Sequence, residues 1–431
     1  MFGRMLPLRS RRVWDVFLQR MVSAMRFFLR CNHCNQCAAW PMMFVSMSQP
    51  SPLHIVIAPD SFKESLSALA AAEAMAAGFC SVLPQTTCRL VPMADGGEGT
   101  VDAVAAALNA EIVQHTVTGP LGAPVHAAFA FAAKEKLAVV EMAAASGLHL
   151  VPMTERNPLL TTSYGTGEQI RAAIERGARR IIVALGGTAT VDGAAGILQA
   201  MGAELLDADG QQIARGGGGL ATLKEIKLAN LQALLDGCSI ELACDVTNPL
   251  LGPEGAAAIF GPQKGATPAM VIELESNLKN FAESIERAIG RDVTMLPGGG
   301  AAGGAGAGLM GCANASMVPG GQLVADAVKL EDAIRTADLV LTGEGRFDAQ
   351  TARGKTPAAV AAIARRWGKP VYVIAGSVSA QNDATLAAIG VNAAFSAMLP
   401  GMSLDEAMRD ARQNVSRAAT EAAQRWRVQA Q

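Results

Sequence analysis

Short β-branched segments alternate with alanine-rich helical segments over most of this 431-residue chain. The pattern predicts a strand over 54–58 that is followed by a helix over 67–79. It returns towards the C-terminal end as strands over 337–342, 371–375 and 393–396 and helices over 356–367, 383–389 and from Ser403 onward. Because parallel strands need crossover connections, this alternation predicts an α/β fold with a doubly wound parallel sheet.

The middle of the chain has a different pattern. Strands are predicted over 111–118, 125–131 and 137–141, and the turns between them are short enough for antiparallel hairpins. We therefore expect two lobes, the first from both ends of the chain and the second, a mixed α/β lobe, inserted in it. The predicted bounds are 53–90 with 295–425 for the first lobe and 91–294 for the second, with function in the cleft between them.

Residues 1–52 differ from the rest because they carry seven arginines and a single acid. This composition is typical of a transit peptide, and equally of upstream sequence read from an early start codon, with Met47 as the true start. We predict that the segment is an unstructured extension. Cys31, Cys34 and Cys37 have metal-site spacing, but a fourth ligand is missing from the pattern.

Composition excludes several classes of protein. The net charge of −2 and an aromatic content of 4% argue against a nucleic-acid partner. The uncharged stretch over 293–325 contains Pro297, Pro319 and many glycines, so we expect no membrane span there. Scattered cysteines in a chain of this size are typical of a reducing compartment, and we expect a cytoplasmic protein.

Polar and glycine-rich segments follow the predicted strands. Ligands of open α/β sheets bind beyond the carboxyl ends of strands, so these loops are the candidate site. Five loops combine glycines with acidic or hydroxyl side chains: 58–65, 93–100, 185–196, 243–249 and 341–348.

Two of the glycine-rich segments are candidate phosphate cradles. In the loop over 185–196, bare N–H groups and hydroxyls before a helix suit phosphate oxygens. The alternative interpretation of this loop is an ordinary tight turn. The run over 297–308 is a second cradle or a flexible linker between lobes. The candidate phosphate ligands are Gly186, Gly187, Thr188 and Thr190 of the first segment and Gly303 and Gly304 of the second.

Charged residues of the same loops suggest further roles. Asp192 could cap the following helix, or be the carboxylate that an attacking hydroxyl needs. Lys63 could hold a substrate carboxylate or a phosphate, or be an ordinary solvated lysine. Asp245, Glu344 and Asp348 offer the hard oxygen ligands that Mg²⁺ prefers, although carboxylates at loop ends are often caps.

From residue 53 to about 424 the chain resembles the type I glycerate kinases. The resemblance rests on long segments in the same order, such as APDSFKES, MADGGEGT, GGTATVDG and TGEGRFD. The eight segments that carry the resemblance are 55–66, 93–100, 141–148, 157–168, 186–193, 244–250, 260–267 and 342–348.

The resemblance implies ATP-dependent phosphorylation of (R)-glycerate at its 2-hydroxyl, with Mg²⁺ and with a Rossmann-like first lobe. For that reaction we predict that Asp192 and Lys63 are the catalytic residues, with Asp192 as the general base. We also predict that Lys63, with Ser61 and Ser65, binds the carboxylate of D-glycerate. Phosphorylation of the 3-hydroxyl and a non-catalytic sensor of sugar acids or nucleotides are the alternatives. A homo-oligomer is compatible with the sequence.

Overall fold

The computed structural model describes residues 52–348, 351, 355–379, 386 and 388–429. Residues 1–51 of the predicted extension, with its three cysteines, lie outside this range, as does most of the helix predicted over 383–389. None of the described helices combines the length and the apolar character that crossing a membrane requires.

The described chain alternates strands and helices, as the pattern predicts. The strands are β1 (His54–Pro59), β2 (Thr87–Leu90), β3 (Glu111–Thr118), β4 (Pro124–Ala132), β5 (Leu137–Glu141), β6 (Arg180–Ala184), β7 (Glu204–Leu206), β8 (Glu225–Lys227), β9 (Ser239–Ala243), β10 (Ser316–Val318), β11 (Leu339–Gly343), β12 (Arg346–Phe347), β13 (Val371–Ala375), β14 (Ser377–Val378) and β15 (Ala393–Ser396). The α-helices are α1 (Ala68–Val82), α2 (Thr100–Leu108), α3 (Met142–Ser146), α4 (Tyr164–Glu175), α5 (Ala195–Ala200), α6 (Ala229–Leu234), α7 (Pro268–Ile289), α8 (Ala301–Cys312), α9 (Gly320–Ala327), α10 (Leu330–Arg335), α11 (Thr356–Arg366), α12 (Leu404–Arg409) and α13 (Ala411–Gln429).

A five-stranded parallel sheet joins the two ends of the described chain. Its order is β15–β13–β11–β1–β2, so β1 pairs on one side with β2 and on the other with β11. Counted within this sheet, the order is 2-1-3-4-5, which is one of the common doubly wound orders. The predicted α/β fold with a parallel sheet is confirmed, and the last predicted helix is two helices, α12 and α13.

A six-stranded sheet is formed by the inserted part of the chain, in the order β10–β9–β6–β5–β4–β3. Strands β3, β4 and β5 are antiparallel neighbours, as the short turns predict, and β5, β6, β9 and β10 are parallel. The predicted boundary at residue 295, where the chain was expected to return to the first lobe, differs from this sheet. Strand β10 lies beyond residue 295 and still pairs with β9 of the inserted part. The glycine-rich run before β10 hides the helical pattern that would have placed it here.

The hydrophobic core follows the alternation of side chains along the strands. On β1, Ile55 and Ile57 face α1 and α13, whereas Val56 faces the opposite side. Val56 shares a core with Val139 of β5 and with residues of α2, α9, α10 and α11. The opposite face of the six-stranded sheet packs against α4, α5, α7 and α8. Helices α2, α9, α10 and α11 therefore form a middle layer that both sheets share.

Apart from exposed Pro297 and half-buried Ala302, the glycine-rich run over 297–308 is buried, so it does not serve as a linker. It enters α8 through Ala302, Gly303 and Gly304, which all have positive φ. A Cβ on Gly303 would lie 1.9 Å from the carbonyl oxygen of Thr190, a distance that no real atom tolerates. The run therefore lets the start of α8 pack directly on the backbone of the loop after β6.

We expect Gly303→Ala to destabilise the fold strongly, because the new methyl group adds overlap to the strain of a positive φ. Gly290 is the matched control, since its φ is the same +70° and nothing lies within 4 Å of a Cβ there. Urea denaturation should show a loss in the free energy of unfolding that is about 1–3 kcal/mol greater for Gly303→Ala than for Gly290→Ala. Equal losses would contradict the packing role of Gly303.

Candidate active site

The switch in strand order lies between β1 and β11, and the loops after these strands form the centre of the site. In doubly wound sheets the ligand crevice lies outside the carboxyl ends of the strands at this point. The loop after β1 runs from Asp60 to Ser65 and the loop after β11 begins at Glu344. Both loops line the same cavity.

The loop after β1 is a tight turn with a buried anchor. Phe62, which is 3% exposed, exchanges backbone hydrogen bonds with Leu66 in both directions. Glu64 at the tip has a φ of 63°, so the backbone reverses there, and Lys63 and Glu64 are exposed. The anchor therefore holds Lys63 beside the cleft while leaving its ammonium accessible.

Asp60 is the most strongly perturbed carboxyl group of this loop. Its side chain accepts hydrogen bonds from the hydroxyl of Thr356 at 2.6 Å and from the N–H of Ser61 at 2.6 Å. Burial, with the neighbouring charge of Asp95, raises the pKa of Asp60 to about 6. A carboxylate with this pKa is ionised at neutral pH and can still accept a proton.

Two adjoining cavities meet at Asp60 and its loop. The smaller, of about 360 Å³, is lined by apolar residues that include Met398, Leu404, Met408 and Val415, and by charged residues that include Lys63, Glu344 and Lys355. The larger, of about 710 Å³, is bounded by residues of the loops after β1, β2 and β5. Its polar lining comprises Asp60, Ser61, Lys63, Glu64, Ser65, Ser67, Asp95, Glu98, Asp102, Glu141 and His149.

Glu141 brings the six-stranded sheet into the larger cavity. It is the last residue of β5, and its Oε1 accepts a hydrogen bond of 2.7 Å from the N–H of Val101 at the start of α2. Burial, together with Asp102 and Glu98 nearby, raises the pKa of Glu141 to about 7. The carboxyl ends of both sheets therefore contribute to one acidic cleft.

Of the predicted acceptor residues, Ser61, Lys63 and Ser65 all line both cavities. The hydroxyl of Ser65 also donates to the carbonyl oxygen of Phe62 at 2.9 Å, which closes the turn. The structure thus brings these three residues together beside Asp60.

Asp192, the predicted base, lies in the interior. It is 0% exposed, and its Oδ2 accepts hydrogen bonds of 2.8 Å from both the N–H and the hydroxyl of Ser163. The N–H groups of Ala194 and Gly196 donate to the same carboxylate at 3.3 and 3.4 Å. Asp192 lines none of the described cavities, and its contacts are those of the alternative reading, a cap on the start of α5.

The predicted phosphate ligands divide into two groups. Gly186 and Gly187 are exposed and lie next to Gly97 and Ala143, which line the larger cavity. Thr188 and Thr190 are buried, and the hydroxyl of Thr188 and the carbonyl oxygen of Thr190 accept hydrogen bonds from the ammonium of Lys264. Gly303 and Gly304 are also buried, against the loop after β6, which is a packing role.

The predicted metal ligands come from different loops. Glu344 accepts from the hydroxyl of Thr351 at 2.5 Å and lies 3.5 Å from the ammonium of Lys355. Asp348 lies 3.1 Å from Arg346. Asp245 follows β9 and accepts a hydrogen bond of 3.0 Å from the N–H of Gly320. Burial, with the charge of Asp95, raises the pKa of Asp245. Within the described ranges, no three Asp, Glu, His or Cys side chains are grouped so that they could hold a metal ion.

Comparison with known proteins decides the family. The family model described as "Glycerate kinase family" matches residues 55–427. The chain belongs to the glycerate kinase family. It is 50% identical to the glycerate 2-kinase of Escherichia coli (strain K12) over 85% of this chain and 96% of that protein. It is 49% identical to the glycerate kinase of Bacillus subtilis (strain 168) over 86% of this chain and 97% of that one.

A solved structure agrees with this assignment. The Salmonella typhimurium LT2 protein assigned to glycerate kinase 2 superposes with a TM-score of 0.81 at 48% identity, covering 88% of this chain and 99% of that one. The resemblance inferred from the motifs is therefore confirmed, and the fold of this glycerate kinase family member agrees with a solved structure.

The sequence analysis singled out the loops after β1, β2 and β11, which line the cavities, but it did not name Asp60, Asp95 or Glu141. All three follow or end strands within segments already singled out, so the signal was their position directly after a strand. The sequence analysis also did not name Lys264, which is 3% exposed. Lysines are usually exposed, and the sequence does not show that this one is buried.

We expect the raised pKa of Glu141 to make the stability of this glycerate kinase depend on pH. Because the pKa is higher in the folded protein than the usual 4.5, its favourable contribution is full below pH 4.5 and is lost as the pH rises through about 7. Between pH 4.5 and pH 7.5 the free energy of unfolding should decline less in Glu141→Gln than in the wild type, by about 2–3 kcal/mol. Urea denaturation at the two pH values measures this difference. Exposed Glu155→Gln is the control, and an unchanged decline in Glu141→Gln would contradict the assignment.

Proposed function

We propose that this protein transfers the γ-phosphoryl group of ATP to the 2-hydroxyl of (R)-glycerate, giving 2-phospho-(R)-glycerate and ADP. The observation that carries the proposal is the 50% identity to a glycerate 2-kinase over nearly its whole length. The cleft supports it, because a small acid and a nucleotide need adjoining cavities that share one reactive group. The five described cysteines form no disulfide, which supports a cytoplasmic location.

We assign the role of general base to Asp60 in place of Asp192. Asp60 lines both cavities, whereas every contact of Asp192 is made inside the protein. In this mechanism the 2-hydroxyl oxygen of glycerate attacks the γ-phosphorus, its proton passes to the carboxylate of Asp60, and the bond to the ADP oxygen breaks. The hydrogen bonds from Thr356 and Ser61 hold the carboxylate in place.

The acceptor is a three-carbon acid, so its binding requires a cation and polar partners. Lys63 remains the proposed partner of the glycerate carboxylate, with Ser61 and Ser65 beside it. The larger cavity suits this small polar molecule because carboxylates, hydroxyls and His149 surround it.

The smaller cavity suits the nucleotide. Its methionine, leucine and valine side chains suit the base, and Lys355 suits the phosphates. The described carboxylates form no ready-made metal site, so we propose that Mg²⁺ arrives with ATP, bound by its phosphates. When bound, the ion would neutralise charge on the transferred phosphoryl group, and of the three predicted ligands Glu344, which lines the smaller cavity, is its proposed contact on the protein.

The product identifies the reaction. Purified protein incubated with ATP, Mg²⁺ and D-glycerate should form 2-phosphoglycerate, which NMR distinguishes from the 3-phosphate. Formation of the 3-phosphate would show the other regiochemistry, and binding of both substrates without product would show a sensor.

Replacement of Asp60 by Asn should lower kcat by about 10²–10⁴-fold, the usual contribution of a general base. The KM for ATP should change little, because Asn keeps the shape of the side chain. The activity of the wild type should also fall below about pH 6, where Asp60 becomes protonated.

Asp236→Asn, at an exposed position outside the described cavities, is the control and should match the wild type. Asp192→Asn is the decisive comparison. If it abolished turnover while Asp60→Asn remained active, the original assignment of the base to Asp192 would be restored.

A further inference from the structure

The interior beneath the Gly186–Gly187 turn contains two ionisable side chains that the proposed reaction does not use. Lys264 ends a short 3₁₀ turn, Pro262–Lys264, and is 3% exposed, while Asp192 is 0% exposed. Burying an ammonium group is costly unless its protons are bonded. Burial lowers the pKa of Lys264, and the negative charge of Asp192 opposes that shift.

Both side chains form hydrogen bonds that fix the loop after β6. The ammonium of Lys264 donates to the hydroxyl of Thr188 at 2.9 Å and to the carbonyl oxygen of Thr190 at 2.7 Å. Asp192, two residues further, is fixed by Ser163 and the first turn of α5. In the described chain Lys264 forms no ion pair within 4.0 Å, so its bonds go to the loop rather than to a carboxylate.

The loop begins at an exposed turn with bonding capacity to spare. Within the described residues, the N–H groups of Gly186 and Gly187 donate no hydrogen bond, although the carbonyl oxygen of Gly187 accepts one from Leu148 at 2.8 Å. A Cβ on Gly186 would lie 3.2 Å from Gly97, which lines the larger cavity. Two unpartnered N–H groups on exposed glycines, next to a residue that lines the cavity, suit an anionic oxygen.

We propose that Lys264 is a positioning residue, which holds Thr188 and Thr190 so that the Gly186–Gly187 turn binds an anionic oxygen of a substrate in the cleft. The proposal rests on the proposed function for the identity of that substrate. The oxygen belongs either to a phosphate of ATP or to the carboxylate of glycerate, since backbone N–H groups suit both.

The test uses the full chain and three variants: Lys264→Met, Asp192→Asn, and the two combined. Each single change leaves one buried charge without its counterpart, so both should lower the melting temperature. The double variant should regain part of that loss because neither charge remains. Its KM for one substrate should nevertheless stay raised by on the order of tenfold, since the bonds to Thr188 and Thr190 are still absent.

The substrate whose KM rises identifies the source of the oxygen: ATP for a phosphate, glycerate for the carboxylate. Thr188→Val is a milder variant that removes one acceptor and keeps the other, so it should fold and should raise the same KM less. Lys279→Met, at an exposed position of α7, is the control.

If the double variant regains the KM values of the wild type together with its stability, the pair only balances charge and the proposal is overturned. Unchanged KM values in Thr188→Val and in whichever Lys264 variants fold would overturn it as well. These outcomes require an active wild type, whereas failure of the proposed function would appear as a wild type that makes no phosphoglycerate.

Discussion

Strand β1 pairs with β2, its neighbour along the chain, and also with β11, which lies 284 residues further on where Thr342 bonds to Ala58. This double pairing sets the arrangement of the rest. It puts the loop after β1 next to the loop after β11, and it requires the intervening chain to fold as an insertion that returns to the same sheet. Asp60 and Glu344 meet in one cavity because of this register, although they are distant in sequence.

The electrostatics of the cleft follow from that geometry. Two sheets present the carboxyl ends of their parallel strands to a common space, and acidic residues stand at several of these ends. Burial raises the pKa values of Asp60, Glu141 and Asp245, and the charge of Asp95 adds to the increase at Asp60 and at Asp245. Such a cleft disfavours anions until cations are present, and Lys63 and Lys355 supply cations at its smaller cavity. This balance agrees with substrates that are themselves negatively charged.

Much of the fold was predictable because the periods of its strands and helices are strong. The strands β1, β3, β5, β11, β13 and β15 match the predicted positions closely. Strand β10 could not be predicted, since three residues after a glycine-rich helix carry no period of their own. The loops of the site were predictable from their position after strands. The burial of Asp192 and the position of Asp60 at the cleft were not predictable, because only tertiary packing decides which carboxylate is enclosed and which faces the cleft.

The middle layer of helices has a consequence for the way the protein loses its structure. Val56 of one sheet and Val139 of the other belong to a single core with α2, α9, α10 and α11. Removing either sheet would expose the apolar side of those helices, so neither half has a separate core on that side. Residues 52–431 are accordingly one compact unit, and we expect them to melt in a single cooperative transition. A ligand bound in the cleft would then protect the outermost helices as well as the loops that touch it.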